Sequence, residues 1–212
     1  MEPSALGFRP MTCDTDRGRP TMSVDTLYEA VFAHGGPWTE DEYFALPETP
    51  ARIELVDGML VVSPLSSVPH HRLVYELTHL LRTTCPDGRW EALPGGNVRL
   101  WQDHIRIPDV VVARSGLDVL YVDADDVLLL AEVTSPGNFR QDRIVKHTDY
   151  AEAGIAFYLR VDLHDGVGEV RASAFELVDG SYREYATAPD GVLRLERPWP
   201  LEADLRALAR GH

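Results

Sequence analysis

The most distinctive pattern along the 212-residue chain is Val127-Leu-Leu-Leu-Ala-Glu-Val-Thr134, an almost wholly apolar run of strand length. A strand that reads this way is covered on both faces, since a half-exposed strand would alternate apolar and polar positions. Phe157 to Leu163 has the same character, and Asn97 to Trp101 and Ile105 to Ala113 read as further strands. The period becomes helical from His70 to about Arg82, where Leu73, Val74, Leu77, Leu80 and Leu81 share a face and Pro86 ends the run. A second helix is expected from about Phe139 to Ala153, between the Ser135-Pro136-Gly137 breaker and Gly154, placed where glycine takes a left-handed cap. Asp57-Gly58 inside Arg52 to Ser63, and Asp179-Gly180 later, each join two β-rich arms and signal hairpins. Thr39-Glu40-Asp41-Glu42 has the spacing of a capping box, Val24 to Phe32 reads as helical, and a short helix from Leu201 to Ala209 closes the chain. This order predicts an α/β protein with a mixed central β-sheet flanked by helices. Residues 1–21 are polar and broken by Pro and Gly, so they read as a loosely attached tail. Residues 22–212 form one expected domain, a length that a single core can serve.

Composition adds little to that picture, and charge adds a tension. With 44% hydrophobic and 25% charged residues the chain reads as folded and soluble. Cys13 and Cys85 match no disulfide framework and no zinc spacing, which fits a reduced, cytoplasmic compartment. No apolar run approaches the roughly 20 residues that span a bilayer, and no signal-peptide pattern opens the chain, so no membrane partner is expected. The net charge of −14 runs against nucleic-acid binding, which usually leaves a basic footprint. A bound divalent cation would reverse that sign locally, so DNA binding, if present, should be weak and salt-dependent.

Candidate chemistry starts with Glu132, a carboxylate inside the most apolar run. Burying it alone as an anion is unfavourable, so a cation, a proton or an exposed strand end must account for it. Asp109 follows Pro108 and opens the apolar strand Val110-Val111-Val112-Ala113, which reads either as a turn cap or as a carboxylate at a strand end near Glu132. Two such carboxylates side by side form the oxygen-rich site that Mg²⁺ or Mn²⁺ prefers. Lys146 lies one turn after Asp142, and spacing alone favours a solvated ion pair between them over a place beside the metal. Glu54 alternates with Ile53 and Leu55 and could be a solvated strand residue or a ligand. His70 and His71 open a helix, where they could meet a phosphate or simply be exposed. The glycine patterns of phosphate loops, dinucleotide sites and nucleophile elbows are absent from the sequence.

Taken together, Arg52 to Gly58, Ser63-Pro64 with His70, Pro108 to Val112, Glu132 to Pro136, Asp142 with Lys146 and Tyr150, Gly154, and Tyr158 to Asp162 resemble the Uma-type putative restriction endonuclease family of bacteria. The resemblance runs from about Thr39 to the C-terminus, and the family belongs by fold to the PD-(D/E)xK nucleases. It implies a restriction endonuclease-like fold and a metal-dependent endonuclease acting on DNA. The implied site has Asp109 and Glu132 on Mg²⁺ or Mn²⁺, Glu54 as a further acidic member and Lys146 as the positive group. Thr134 stands where the superfamily norm is lysine, so the positive charge would come from the following helix instead. The sequence leaves the oligomeric state open, a homodimer included. The competing expectations are a non-catalytic nucleic-acid-binding or scaffold protein that keeps the fold, and a small-molecule hydrolase using His70 or His71.

Overall fold

The computed structural model describes residues 29, 31, 34–47, 51–63, 66–134, 140–164 and 169–210, with backbone alone for 140–143. The expected tail, Cys13 and most of the Val24 to Phe32 segment lie outside these residues. The first described helix, α1 (Glu40–Phe44), is held by the capping box: the Thr39 side chain accepts from the Glu42 amide, and the Glu42 side chain accepts from the Thr39 amide. The hairpin of β1 (Arg52–Val56) and β2 (Met59–Ser63) turns on Asp57 and Gly58, at φ 49° and 77°. Positive φ at both positions is what the tight two-residue turn requires, and Val56 accordingly pairs with Met59.

α2 (Val68–Thr84) starts two residues before the apolar pattern, because Ser67 caps it. Its Leu73, Leu77 and Leu81 pack on β6 (Val110–Arg114) and β8 (Val127–Thr134) through Val110, Val112, Leu129, Ala131 and Val133. The alternate residues Val111, Ala113 and Leu130 point to the opposite face, where they meet Tyr150 of α3 (Arg140–Glu152) and Val98 and Leu100 of β4 (Val98–Trp101). That double burial is why the Val127 to Thr134 run contains no solvent-facing alternation. With β3 (Trp90–Pro94), β9 (Phe157–His164), β10 (Glu169–Val178) and β11 (Ser181–Ala188), these strands form a six-stranded sheet in the order β11-β10-β9-β8-β6-β3. Only β8 and β9 run parallel in it, and α3 is the crossover that joins them. The expected mixed sheet is therefore present.

A five-stranded sheet, β2-β1-β5-β4-β7, accompanies it, with β5 (His104–Arg106) and β7 (Val122–Asp123). The segment expected as one strand from Ile105 to Ala113 is divided between the two sheets. Pro108 lacks an amide donor and biases its predecessor, so the ladder breaks at Ile107-Pro108-Asp109 and the chain passes from one sheet into the other. β3 was not expected: it is an edge strand carrying Glu91 and ending at Pro94, where proline is tolerated. The expected Leu201 to Ala209 helix is β13 (Leu201–Asp204), paired with β12 (Val192–Leu195), followed by α4 (Leu205–Arg210). Asp204 sets that boundary by accepting from the amides of Arg206 and Ala207 at 3.0 and 3.3 Å. Among the described residues no helix is long and apolar enough to cross a membrane.

Candidate active site

Strand parity places Glu132 on the same face as Leu130, the face covered by α3. Lys146 and Tyr150 sit one turn apart on that helix, so both side chains reach the same point. The Lys146 ammonium donates to Oε1 of Glu132 at 3.2 Å, and the Tyr150 hydroxyl donates to the same oxygen at 2.6 Å. Asp109 lies one step beyond the last β6/β8 pair, Val110 with Ala131, and so stands next to Glu132 across the sheet. Its Oδ2 accepts from the Val133 amide at 2.8 Å and lies 3.3 Å from Nε2 of His70, while Oδ1 accepts from Nη1 of Arg52 at 2.7 Å.

Glu54 comes from the other sheet. Ile53 and Leu55 pack with Tyr43 and Ile105, so Glu54 faces the opposite way, toward α3, and is 1% exposed. Its Oε1 accepts from Lys146 at 3.2 Å and from the Ile107 amide at 3.0 Å, and its Oε2 accepts from Nη1 of Arg106 at 3.1 Å. Glu54 is thus no solvated strand residue.

The structure brings Asp109, Glu132, Lys146, Glu54 and His70 together. Lys146, which spacing assigned to a solvated pair with Asp142, is 7% exposed and bridges Glu54 and Glu132. The Asp142 side chain lies outside the described residues. His70 is buried, with its Nε2 turned to Asp109 and its Nδ1 without a hydrogen-bond partner among the described residues, whereas His71 is exposed. The residues that sequence reasoning did not single out are Arg106, His104 and Asp149, and it gave Arg52 no role of its own. Asp149 accepts from Nε of Arg106 at 3.0 Å and lies 3.2 Å from Nε2 of His104. These pairs join positions more than 40 apart in the chain, so no local pattern announces them. One signal was available for Lys146: it is the only lysine among the 20 basic residues, the other 19 being arginine.

Among the described residues, four buried carboxylates (Glu54, Asp109, Glu132, Asp149) face three permanent cations (Arg52, Arg106, Lys146). The imbalance falls on Glu132. Burial pushes its carboxyl up to about 7, with Asp109 adding to the effect and Lys146 and Arg52 opposing it. Burial also raises Asp109, but the hydrogen bond from His70, the Arg52 charge and the Val133 amide outweigh it and hold the group well below the usual range. Burial raises Glu54 as well, and Lys146, the Ile107 amide, Arg106 and Arg52 together reverse the sign. The site therefore holds two unlike carboxyls side by side, one firmly ionised and one poised to take a proton or a cation. Among the described residues no three His, Cys, Asp or Glu side chains converge as a ready metal cage.

The family model described as Uma2, putative restriction endonuclease, matches residues 40–208, and the chain belongs to this family. Among solved structures it is similar to a putative nuclease belonging to DUF820 from Anabaena variabilis, with a TM-score of 0.62 and 16% identity over 82% of this chain and 98% of that one. That likeness shows the fold, which is restriction endonuclease-like. No curated protein matches the chain.

Proposed function

We propose that the chain is a divalent-metal-dependent phosphodiesterase that cleaves nucleic-acid backbones, DNA first among them. The observation that carries this reading is the Asp109 and Glu132 pair at the α3 face, with the Lys146 ammonium 3.2 Å from Glu132. Membership in a family described as putative restriction endonuclease supports it.

The donor set fits Mg²⁺ or Mn²⁺. Both ions prefer hard oxygen ligands, and Mg²⁺ typically takes one or two protein carboxylates, completing its shell with waters and substrate phosphates. Two adjacent carboxylates, with no third His, Cys, Asp or Glu converging on them among the described residues, suit that habit. The raised carboxyl of Glu132 is also what a cation would draw back into the ionised form. Asp109 and Glu132 would hold the ion, and Glu54 would complete the acidic set around Lys146. When bound, the ion would acidify water and neutralise charge on the phosphate.

This chain's own groups supply the rest. Lys146, fixed by two carboxylates, presents a buried point charge that stabilises negative charge growing on the phosphate oxygens. Its preset position costs no reorganisation during the reaction. Arg52 and His70 keep Asp109 oriented, and His70 adds a donor beside the place where a phosphate would sit. The net charge of −14 leaves the surface repellent to DNA, so binding should be weak and steeply salt-dependent.

Single-turnover cleavage of duplex and single-stranded DNA at low salt, with Mg²⁺ or Mn²⁺ and with chelator, tests the reading. Wild type should cleave only with metal, Lys146→Ala should lose about two to three orders of magnitude in rate, and Lys146→Arg should rescue poorly. Calorimetry should show Mn²⁺ binding to wild type and none to Glu132→Ala. Cleavage that survives chelator, or a wild-type rate in Lys146→Ala, would overturn the assignment. Mn²⁺ binding without cleavage would favour a binding protein that keeps the fold.

A further inference from the structure

Behind the proposed centre, a line of hydrogen bonds runs from the protein surface to Glu54. It starts at Asp57, on the exposed β1–β2 turn, whose Oδ1 is 2.9 Å from Nδ1 of His104. Nε2 of His104 is 3.2 Å from Oδ2 of Asp149, on α3. The same oxygen accepts from Nε and Nη2 of Arg106, leaving Nη1 to donate to Oε2 of Glu54 at 3.1 Å. His104, Arg106 and Asp149 are all buried.

Each link has a reason to be rigid. A carboxylate held at one oxygen can swing, but Glu54 is held at both: Arg106 takes Oε2, while Lys146 and the Ile107 amide take Oε1. Arg106 could offer its fork in several ways, and Asp149 removes that freedom by engaging two of its nitrogens. Asp149 is in turn fixed by His104, whose ring is packed on Trp101 with centroids 4.0 Å apart. The groups around His104 are Asp57 from the turn, Asp149 from α3, Trp101 from β4 and Arg106 on its own strand.

We propose that Asp149 and His104 are positioning residues for the centre: they hold the Arg106 guanidinium so that Glu54 is locked with one oxygen toward Lys146. Neither touches Asp109 or Glu132 in the structure, and neither would touch substrate. Their effect passes through Arg106 and Glu54 to the ammonium. The proposal rests on the phosphodiesterase reading for its catalytic consequence, and its geometric part is testable without activity.

Because Lys146 is the only lysine, ¹³Cε-lysine incorporated into the full chain gives one side-chain resonance. That resonance is recorded in wild type, Asp149→Asn, His104→Gln and, as a control, Asp179→Asn on the exposed β10–β11 turn. It should move in Asp149→Asn and His104→Gln and stay in place in the control. Cleavage should fall about 10- to 100-fold in both arm variants, as for groups that orient a reacting shell, with kcat affected and KM spared. In a Lys146→Ala background Asp149→Asn should cost almost nothing further. An unmoved Lys146 resonance in the folded variants, or a full additional loss in the Lys146→Ala background, would overturn the proposal. Should Asp149→Asn fail to fold, His104→Gln decides alone. If the resonance moves and wild type cleaves nothing, the positioning arm stands and the phosphodiesterase reading falls.

Discussion

Replacing Lys146 with methionine keeps most of its volume and removes its charge, which isolates the electrostatics of the centre. The wild-type ammonium lies 3.2 Å from both Glu54 and Glu132. Glu54 keeps Arg106 and the Ile107 amide in the variant, but among the described residues Glu132 keeps only the Tyr150 hydroxyl as a direct partner. Removing one partner of a buried ion pair costs about 3–5 kcal/mol, because it strands the other charge. Glu132 can escape that cost by taking a proton, and its carboxyl already stands at about 7 with lysine present. The folded-state value lies above the 4.5 of an ordinary glutamate and rises further without Lys146. Folding therefore favours the protonated acid, and stability is lost as pH climbs from about 4.5 through 7. The loss in Lys146→Met should reach about 3 kcal/mol at pH 8 and less than half of that at pH 5. In a domain of this size 3 kcal/mol corresponds to about 6–12 °C in Tm. Urea unfolding of both proteins at pH 5, 6, 7 and 8 measures it, with equal m-values required for the comparison. An exposed ion pair would cost under about 0.5 kcal/mol at every pH, and that flat profile would refute the argument. Adding Glu132→Gln to Lys146→Met should return most of the lost stability at pH 8, since it removes the stranded charge.

Three further outcomes are expected. Saturating Mn²⁺ should raise the Tm of wild type by about 5–10 °C, from the roughly 2.7 kcal/mol that a hundredfold excess over Kd supplies, and should leave Asp109→Ala unmoved; an unshifted wild type would mean that the pair holds no metal. Gly58→Ala should destabilise by more than about 1 kcal/mol, because φ is +77° and the new Cβ would lie 2.7 Å from Cβ of Pro37; an unchanged urea midpoint would contradict the turn geometry. Deleting residues 1–21 should lower Tm by less than about 5 °C, and a larger fall by differential scanning calorimetry would show that the tail contributes to the fold.

What could be read from the sequence depended on how local the physics was. The Val127 to Thr134 strand has the expected limits, and the capping box and both Asp-Gly turns stand where expected, because each depends on neighbouring residues alone. The second sheet was hidden by Pro108, which let one apolar stretch serve two sheets. β3 was hidden by a composition that only an edge position tolerates. For the site, Glu132 carried its own signal, a charge in an apolar run. Glu54, Lys146 and His70 had ordinary solvated readings, and their burial follows from packing between α3, β1 and α2 that no periodicity encodes. Arg106, His104 and Asp149 gave no signal at all, since an ion-pair network is a property of the assembled sheets.

The burial of the chain's only lysine has a practical reach beyond catalysis. Side-chain acylation by amine-directed reagents can occur at Lys146 alone, and in the folded state that nitrogen is shielded and engaged by two carboxylates. Reaction must await a fluctuation that parts α3 from β1, so the modification rate counts openings of this one seam. Mass spectrometry of acylation against time would thus act as a clock for local unfolding at the centre, with a built-in single site and no engineered probe.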